Sequence, residues 1–359
     1  MKIILPSISN NVTTVVLVLQ SLFSITHAYM TLSDDFLRNI STSGPDFEPE
    51  SGALLSPLLV PRIPGSSGHA AVQQHFVDFF RTQIPKWNLD WYNSTATKKD
   101  GTAVPISNLV FSREPPWTKV GQTNWLIIAA HYDSKSMPEG QIDATSAVPC
   151  AIMMQVARSI DGYMTQMHDE MDALGEGGTI AMDMGIKLVF LDGKESLDGG
   201  APALYGSRDM SHKLERRVNP VGSGYPNALS QIRNFVLLDN LGSAHPMVPS
   251  YCLVTSWVYE KIANLEARMR EIGLLEATEV TSFLFERNST IVQSGTTADH
   301  VPFMEAGTPF MNIQPSSLAS SQNVFSDSPS LDLPTVRDWV KIVTGFTLEW
   351  LDMMEVWPE

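Results

Sequence analysis

The chain has 359 residues, of which 43% are hydrophobic and 18% are charged. A chain of this size and composition can bury a large core, and it shows no repeat period, so a disordered protein and a solenoid are both excluded. The formal net charge of −15 comes without a basic patch, so nucleic acid is not an expected partner.

Residues 1–28 have the features of a secretory signal peptide. Lys2 precedes an apolar run at about residues 15–23, and Ala28 supplies the small residue that a signal peptidase needs at the cut. This run is too short to span a bilayer, and no later run in the sequence is long and apolar enough for a membrane helix. We therefore expect a protein of the secretory pathway that is secreted and has no membrane attachment after cleavage. An uncleaved anchor is the alternative interpretation.

Three Asn-x-Ser/Thr sequons lie in polar surroundings, at Asn39, Asn93 and Asn288. In the secretory pathway they are candidate N-glycosylation sites. The same compartment permits a disulfide between Cys150 and Cys252, but their spacing does not show whether the two thiols approach each other.

The remaining chain predicts one α/β domain over residues 65–359, preceded by an extended lead-in on the surface over residues 29–64. Apolar residues at helical spacing predict helices at 68–83, 147–160, 204–214, 259–274 and 333–353, and short apolar runs predict strands at 89–92, 108–112, 125–130, 186–191, 234–238 and 310–313. The acidic, glycine-containing stretch 161–185 predicts an exposed loop. This alternation predicts a mixed, mostly parallel central sheet with helices on both faces.

Acidic and imidazole side chains follow three of the predicted strands directly. They are, in chain order, His131, Asp133, Asp192, Glu195 and Asp239. Ligands of open α/β sheets bind in the crevice at the carboxyl ends of the strands, so we expect these side chains to gather at one edge. A histidine among several carboxylates there is typical of a hydrolase-type metal site. Each acid taken singly could instead cap a helix or end a strand.

Six short motifs together resemble one known family. They are His131-Tyr-Asp-Ser-Lys135, Ser146-Ala-Val-Pro-Cys150, Phe190-Leu-Asp-Gly193, Leu204-Tyr-Gly-Ser-Arg208, Leu237-Leu-Asp239-Asn-Leu-Gly242 and Asp299-His-Val-Pro-Phe303. The chain resembles the glutaminyl cyclases, or glutaminyl-peptide cyclotransferases, which are related in fold to the zinc aminopeptidases. The likeness covers nearly the whole chain after the signal and is most like the fungal branch. It implies the zinc aminopeptidase-like fold of that family.

The resemblance implies an enzyme that converts the N-terminal glutamine of peptides and proteins into pyroglutamate, so peptide or protein N-termini are the implied partners. In the family an aspartate, a glutamate and a histidine hold one zinc ion. The zinc polarises the side-chain amide of the substrate, and a second glutamate moves a proton from the α-amine to the leaving ammonia.

The metal ligands of the family match this chain only in part. Glu195 stands at the position of the metal glutamate. The metal aspartate directly precedes Ser-Ala-x-Pro-Cys in the family, where this chain has Thr145, so Asp143 is the nearest candidate. The zinc histidine of the family falls at Ser326, and a hydroxyl is a poor zinc ligand beside imidazole.

The catalytic positions also differ. The Gly-Glu-Glu of the family appears here as Gly193-Lys194-Glu195, so Lys194 stands in place of the general base. An ammonium with a reference pKa of about 10.4 cannot accept a proton at neutral pH unless it is strongly desolvated. Asp239 and Asp299 match the proton-transfer and hydrogen-bonding acids of the family, whereas Ala298 replaces a further aspartate.

The sequence leaves three functional interpretations open. We favour a secreted pseudoenzyme that binds peptides or proteins, in which the Lys194 ammonium takes the electrostatic place of the metal among Glu195, Asp239 and Asp143. The second interpretation is an active cyclotransferase that binds zinc through Asp143, Glu195 and a third ligand. The third is a metallo-aminopeptidase-like hydrolase whose metal is held by His131, Asp239 and an early acid such as Asp143.

Overall fold

The computed structural model describes residues 31–42, 44–137, 143–175, 177, 182–278, 282–284, 298–316 and 331–353. Helices in these ranges are α1 (Asp34–Asn39), α2 (Ser67–Gln83), α3 (Ala147–Leu174), α4 (Tyr205–Arg216), α5 (Ser256–Glu271), α6 (Val301–Glu305) and α7 (Leu333–Trp350). Strands are β1 (Asn88–Thr97), β2 (Ala103–Arg113), β3 (Asn124–His131), β4 (Met184–Leu191), β5 (Ile232–Leu238) and β6 (Phe310–Ile313).

The six strands form one sheet in the order β1-β2-β4-β3-β5-β6. Strands β3, β4, β5 and β6 pair in parallel, and β1 and β2 pair antiparallel at one side. Parallel neighbours need crossover connections, and the helices α3, α4 and α5 supply them. The predicted mixed, mostly parallel sheet is therefore confirmed.

Helices cover both faces of the sheet, as the sequence predicted. Strand β3 is buried along its whole length, so both sets of its alternating side chains lie in apolar cores. Leu126 and Ile128 face the larger core, with α2, α3, α5 and α7. Trp125 and Ile127 face the smaller core, to which α4 and α6 contribute Met210, Leu214 and Phe303. None of the helices in the described ranges is long and apolar enough to cross a membrane.

The predicted exposed loop at 161–185 is wrong in its first half. Helix α3 continues without a break to Leu174 and is 28 residues long. Its second half keeps one buried side, formed by Tyr163, Met164 and His168, while the acidic residues that suggested a loop occupy the exposed side. The helix ends at Gly175, whose φ of 68° is the left-handed conformation common at helix C-termini.

The segment before residue 65 is not simply extended on the surface. It contains α1 and two 3-10 turns, Pro45–Phe47 and Ser56–Leu58, and it places Phe36 and Leu54 in the larger core with no exposed surface. Its Ser, Pro and Asp residues form caps and turns rather than a solvated strand. Ser33, for example, caps α1 through its hydroxyl.

Arg62 joins this segment to the central sheet edge. The side chain is fully buried, and its guanidinium donates to the carbonyl oxygens of Tyr132 at 2.8 Å and Asp143 at 2.7 Å and to the Ser146 hydroxyl at 2.9 Å. A third carbonyl, that of Val60, accepts at 2.8 Å. One guanidinium thus fixes the two loops that leave β3 and enter α3.

The structure describes both cysteines and two of the three sequons. Cys150 is buried, Cys252 is half-buried, and both thiols are free. Asn39 and Asn93 are exposed and available for glycosylation, which stays a prediction. Asn288 and the signal peptide lie outside the described residues.

Replacing Arg62 by methionine is expected to destabilise the fold by about 3–5 kcal/mol, because several buried oxygen acceptors lose their donors at once. The matched control is Arg81→Met, since Arg81 has a side chain 70% exposed and pairs with the partly exposed Asp78. That change is expected to cost no more than about 0.5 kcal/mol. Urea unfolding at pH 7 measures both, and equal midpoints would contradict the role assigned to Arg62.

His168 is expected to make stability pH-dependent. Burial, followed by the charge of Arg113, lowers the pKa of His168 to about 4. Below about pH 6.5, His168 is protonated in the unfolded chain but stays neutral in the folded chain. The free energy of unfolding therefore falls as the pH falls from about 6.5 to 4.

We expect His168→Gln to remove up to about 3 kcal/mol of this fall. The exposed His212 provides the control, because His212→Gln makes the same chemical change on the surface. Urea unfolding of both variants between pH 7 and pH 4 gives the two slopes. A His168 variant whose slope equals that of the parent would refute the assignment.

Candidate active site

The carboxyl ends of three parallel strands bring the predicted site residues to one edge. His131 is the last residue of β3, and Asp239 directly follows β5. Lys194 and Glu195 follow β4 after a turn at Gly193, whose φ of 68° is readily adopted only by glycine. The rule that ligand-binding side chains follow the carboxyl ends of parallel strands, here called the strand-end rule, therefore puts His131, Glu195 and Asp239 at this edge, while their functional roles stay predictions.

An ion pair between Lys194 and Asp239 lies at the centre of the cluster. The Lys194 Nζ is 2.6 Å from Asp239 Oδ2, and both side chains are buried. Burial alone would lower the pKa of Lys194, but the charges of Asp239 and Asp299 outweigh it and hold that pKa above its usual value. Burial would likewise raise the pKa of Asp239, and the Lys194 ammonium holds it well below its usual range. The pair is therefore fully charged at neutral pH.

His131 lies between two carboxylates. Its Nδ1 is 3.3 Å from Asp133 Oδ1, and its Nε2 is 3.6 Å from Asp239 Oδ1. Burial and the Lys194 charge lower the pKa of His131, but the two aspartates prevail and raise it to about 9. Asp133 also accepts the backbone N–H of Glu195 at 2.8 Å, so it links the ends of β3 and β4.

Asp299 and His300 complete the cluster from the start of α6. Both are fully buried. Burial raises the pKa of Asp299 to about 6, although the charge of Lys194 opposes this. Burial lowers the pKa of His300 to about 4, and its ring stacks on Phe310 with centroids 4.3 Å apart. His300 is therefore a neutral, packed ring beside the ion pair.

The Asp143 carboxylate is hydrogen-bonded within its own loop. Its carboxylate accepts the backbone N–H groups of Thr145 at 3.0 Å and Lys135 at 3.3 Å, as well as the Thr145 hydroxyl. Burial raises the pKa of Asp143, but the Thr145 hydrogen bond, together with the charges of His131 and Arg62, lowers it below its usual value. Asp143 thus shapes the loop that enters α3.

Asp192 does not belong to the cluster, although the sequence placed it at the same edge. Its carboxylate accepts from the backbone N–H of Ser107 at 2.8 Å and pairs with His69 Nε2 at 2.9 Å. The Asn108 side chain accepts the Asp192 N–H at 2.9 Å. Asp192 therefore fixes α2 and β2 to the sheet, which is a structural role.

Sequence reasoning missed three contributors to the site. Gln314 donates to Asp239 Oδ2 at 3.3 Å, and it follows β6 directly, so the strand-end rule could have found it. Tyr251 donates to the Gln314 carbonyl at 2.8 Å, and Arg62 anchors the loops from beneath. Neither of these two residues carries a sequence signal, because both reach the site from long loops.

Comparisons with known proteins identify the chain's relatives. The sequence model of peptidase family M28 matches residues 108–344. A glutaminyl-peptide cyclotransferase of Boiga dendrophila is 31% identical over 311 residues, covering 83% of this chain and 80% of that protein. A glutaminyl-peptide cyclotransferase-like protein of Bos taurus is 30% identical over 306 residues, covering 83% and 74%. This chain belongs to the glutaminyl-peptide cyclotransferase family.

Solved structures agree on the fold of this cyclotransferase family member. A glutaminyl cyclase of Macrostomum lignano superimposes with a TM-score of 0.75 at 24% identity, covering 93% of this chain and 97% of that one. A leucine aminopeptidase precursor of Bacteroides thetaiotaomicron superimposes with a TM-score of 0.56 at 16% identity, covering 85% and 98%. The expected zinc aminopeptidase-like fold is thus confirmed.

The zinc ion expected for the family does not fit the side chains as they are arranged here. The described ranges contain no group of three His, Cys, Asp or Glu side chains placed to hold a metal ion. An ammonium occupies the centre of the carboxylate cluster, and the Asp143 carboxylate is already satisfied by its own loop. The position that replaces the metal histidine, Ser326, lies outside the described residues. Metal binding by Asp143, Glu195 and His131 stays a prediction.

Lys194 is expected to be essential for stability in the absence of metal. Lys194→Met removes the closest cation of the buried Asp239 and leaves His131 at 3.6 Å, so it should cost about 3–5 kcal/mol. Lys194→Glu adds a further carboxylate to the cluster and should cost more. Lys119→Met is the control, because Lys119 is exposed and its loss should change stability by no more than about 0.5 kcal/mol.

Urea unfolding in the presence of a chelator tests this order. If Lys194→Glu is as stable as the parent, Lys194 is not the counter-ion of the cluster.

Proposed function

We propose that this protein is a secreted member of the glutaminyl-peptide cyclotransferase family that binds peptide or protein N-termini without cyclising them. In this proposal the Lys194 ammonium supplies the positive charge that zinc supplies in the family. The observation that carries the proposal is the buried Lys194–Asp239 pair, with its Nζ–Oδ2 distance of 2.6 Å.

The first argument concerns the general base. Cyclisation requires a group that takes a proton from the α-amine of the substrate and delivers it to the leaving ammonia. An ammonium bonded to a carboxylate has no lone pair for this task. Asp239 is engaged by Lys194, Gln314 and His131, so it is not available as a substitute.

The second argument concerns the metal. A divalent cation a few ångströms from the Lys194 ammonium would be repelled by several kcal/mol, even at an effective dielectric constant of about 20. Burying several carboxylates without any cation is also costly, so one of the two cations is needed. The chain already carries one, which favours the metal-free arrangement.

The third argument concerns what the site can still bind. Glu195 is 8% exposed, and no residue in the part of the chain that the structure describes donates a hydrogen bond to its carboxylate. The α-ammonium of a peptide has three donors and a positive charge, which suits this free acceptor. Glu195 is therefore the residue that we expect to contact the N-terminus of a bound peptide.

The decisive experiment measures zinc content and turnover on the same sample. The purified protein is equilibrated with zinc, dialysed and subjected to elemental analysis, and cyclisation of a glutamine-initiated peptide is followed by ammonia release. We expect zinc far below one ion per chain and no pyroglutamate. Near-stoichiometric zinc together with pyroglutamate would instead establish an active cyclotransferase with a rearranged metal site.

Binding is tested by calorimetry with a peptide that has a free N-terminus and with its N-acetylated form as the matched control. We expect only the free amine to bind and expect Glu195→Gln to weaken binding at least about tenfold, which corresponds to the loss of a charge-assisted hydrogen bond. Equal binding of the two peptides would refute recognition of the N-terminus.

A further inference from the structure

A second polar cavity lies at the opposite edge of the sheet, beyond the amino ends of the parallel strands. Its volume is about 120 Å³, and its lining includes Lys187, Trp125, Asp90, Glu114 and Arg217. Trp125 belongs to the smaller core, so the cavity opens on the sheet face that carries α4. None of its lining residues belongs to the candidate active site.

Lys187 forms the floor of this cavity. It lies in the middle of β4, paired with Ser112 on one side and Ile127 on the other. Its Nζ lies 4.1 Å from the centroid of the Trp125 ring. Within the described ranges, no carboxylate lies within ion-pair distance of this ammonium and no acceptor receives a hydrogen bond from it. Burial without a carboxylate partner disfavours the charged amine, whereas the face of the Trp125 ring gives the ammonium a modest cation–π stabilisation.

Three charged groups line the rim, and all three are exposed to solvent: Asp90 on β1, Glu114 after β2, and Arg217 after α4. Burial lowers the pKa of Lys187 first, Asp90 and Glu114 raise it, and Arg217 lowers it again, which leaves it at about 8. Desolvation and a neighbouring cation are the two features that turn a lysine into a nucleophile.

We propose that Lys187 is a covalent binding site for small aldehydes, which enter the cavity and form an imine with its Nζ over the face of Trp125. The neutral amine adds its lone pair to the carbonyl carbon, and its proton passes to the carbonyl oxygen to give a carbinolamine. The C–O bond then breaks, water leaves, and the C=N bond forms. One aldehyde and one amine give one imine and one water, without oxidation or reduction.

The surroundings suit each part of this reaction. Loss of water needs a proton donor, and solvent water can reach the cavity past the exposed rim residues Glu114 and Asp90. Glu114 is held in position by the Thr123 hydroxyl, which donates to it at 2.8 Å. A cavity of about 120 Å³ admits aldehydes of only a few non-hydrogen atoms.

The experiment is reductive trapping at pH 7 with acetaldehyde and cyanoborohydride, followed by peptide mapping with mass spectrometry. At this pH Lys187 holds roughly two hundred times more neutral amine than a lysine with the reference pKa of about 10.4. Because a less basic amine is also less nucleophilic, we expect ethylation of Lys187 to be at least about tenfold faster than that of the exposed Lys119. Equal rates at the two lysines would overturn the proposal.

Two rim variants test whether the cavity causes the reactivity. Arg217 is exposed, so Arg217→Gln should fold normally. It should slow trapping at Lys187 several-fold at pH 7 and move the midpoint of the pH–rate profile upward, whereas Arg217→Lys should retain the parent rate. Lys187→Arg should abolish the label in its own peptide and leave Lys119 unchanged. An Arg217→Gln rate equal to that of the parent would refute the proposed mechanism of activation.

Discussion

Carboxylates buried at the carboxyl ends of parallel strands need a positive counter-charge, and the whole site is arranged around the one that this chain provides. Asp133, Asp239 and Asp299 are each fully or almost fully buried. Isolated buried carboxylates cost several kcal/mol each, so the loops that carry them can close only around a cation. The Lys194 ammonium meets that requirement, and the protonated His131 shares it.

Under the proposed function, this counter-charge explains how the scaffold can be kept without the cyclisation chemistry. A metal ion and a lysine ammonium both neutralise the cluster, and so either one allows β3, β4 and β5 to end in acidic residues. A metal ion acts as a Lewis acid on a carbonyl group, whereas an ammonium that is ion-paired with a carboxylate has no lone pair to accept a proton. Under the proposed function, Lys194 in place of one glutamate of the family removes the base, opposes the metal and satisfies the fold in a single step.

The sequence predicted the elements whose signals are local. Apolar runs located β3 to β6, and because parallel strands end at the same edge, the positions of His131, Glu195 and Asp239 followed from strand ends alone. The second half of α3 was missed because its acidic residues and Gly162 resemble a loop and because its buried side has few residues, namely Tyr163, Met164, His168 and Met171.

The long-range partners could not be predicted in this way. In the sequence, Arg62 is a single basic residue in a proline-rich stretch. Its hydrogen-bond acceptors, the carbonyl groups of Tyr132 and Asp143, lie about 70 to 80 residues further along the chain. Asp192 obeys the strand-end rule and yet pairs with His69, because the rule fixes the edge of the sheet but not the direction of a side chain. Such contacts depend on three-dimensional packing that no local pattern encodes.

Two lysines that both belong to β4 and its following loop show how strongly the partner decides the chemistry of a side chain. Lys194 faces a carboxylate at 2.6 Å, so burial only strengthens the ion pair and the amine stays protonated and inert. Lys187 has no carboxylate within ion-pair distance in the described ranges and lies near an arginine, so burial favours the neutral amine despite the cation–π contact with a ring 4.1 Å away. The same residue type is a structural cation at one edge of the sheet and a nucleophile at the other. A search for reactive lysines in this fold should therefore begin with the partner of the ammonium and not with its depth of burial.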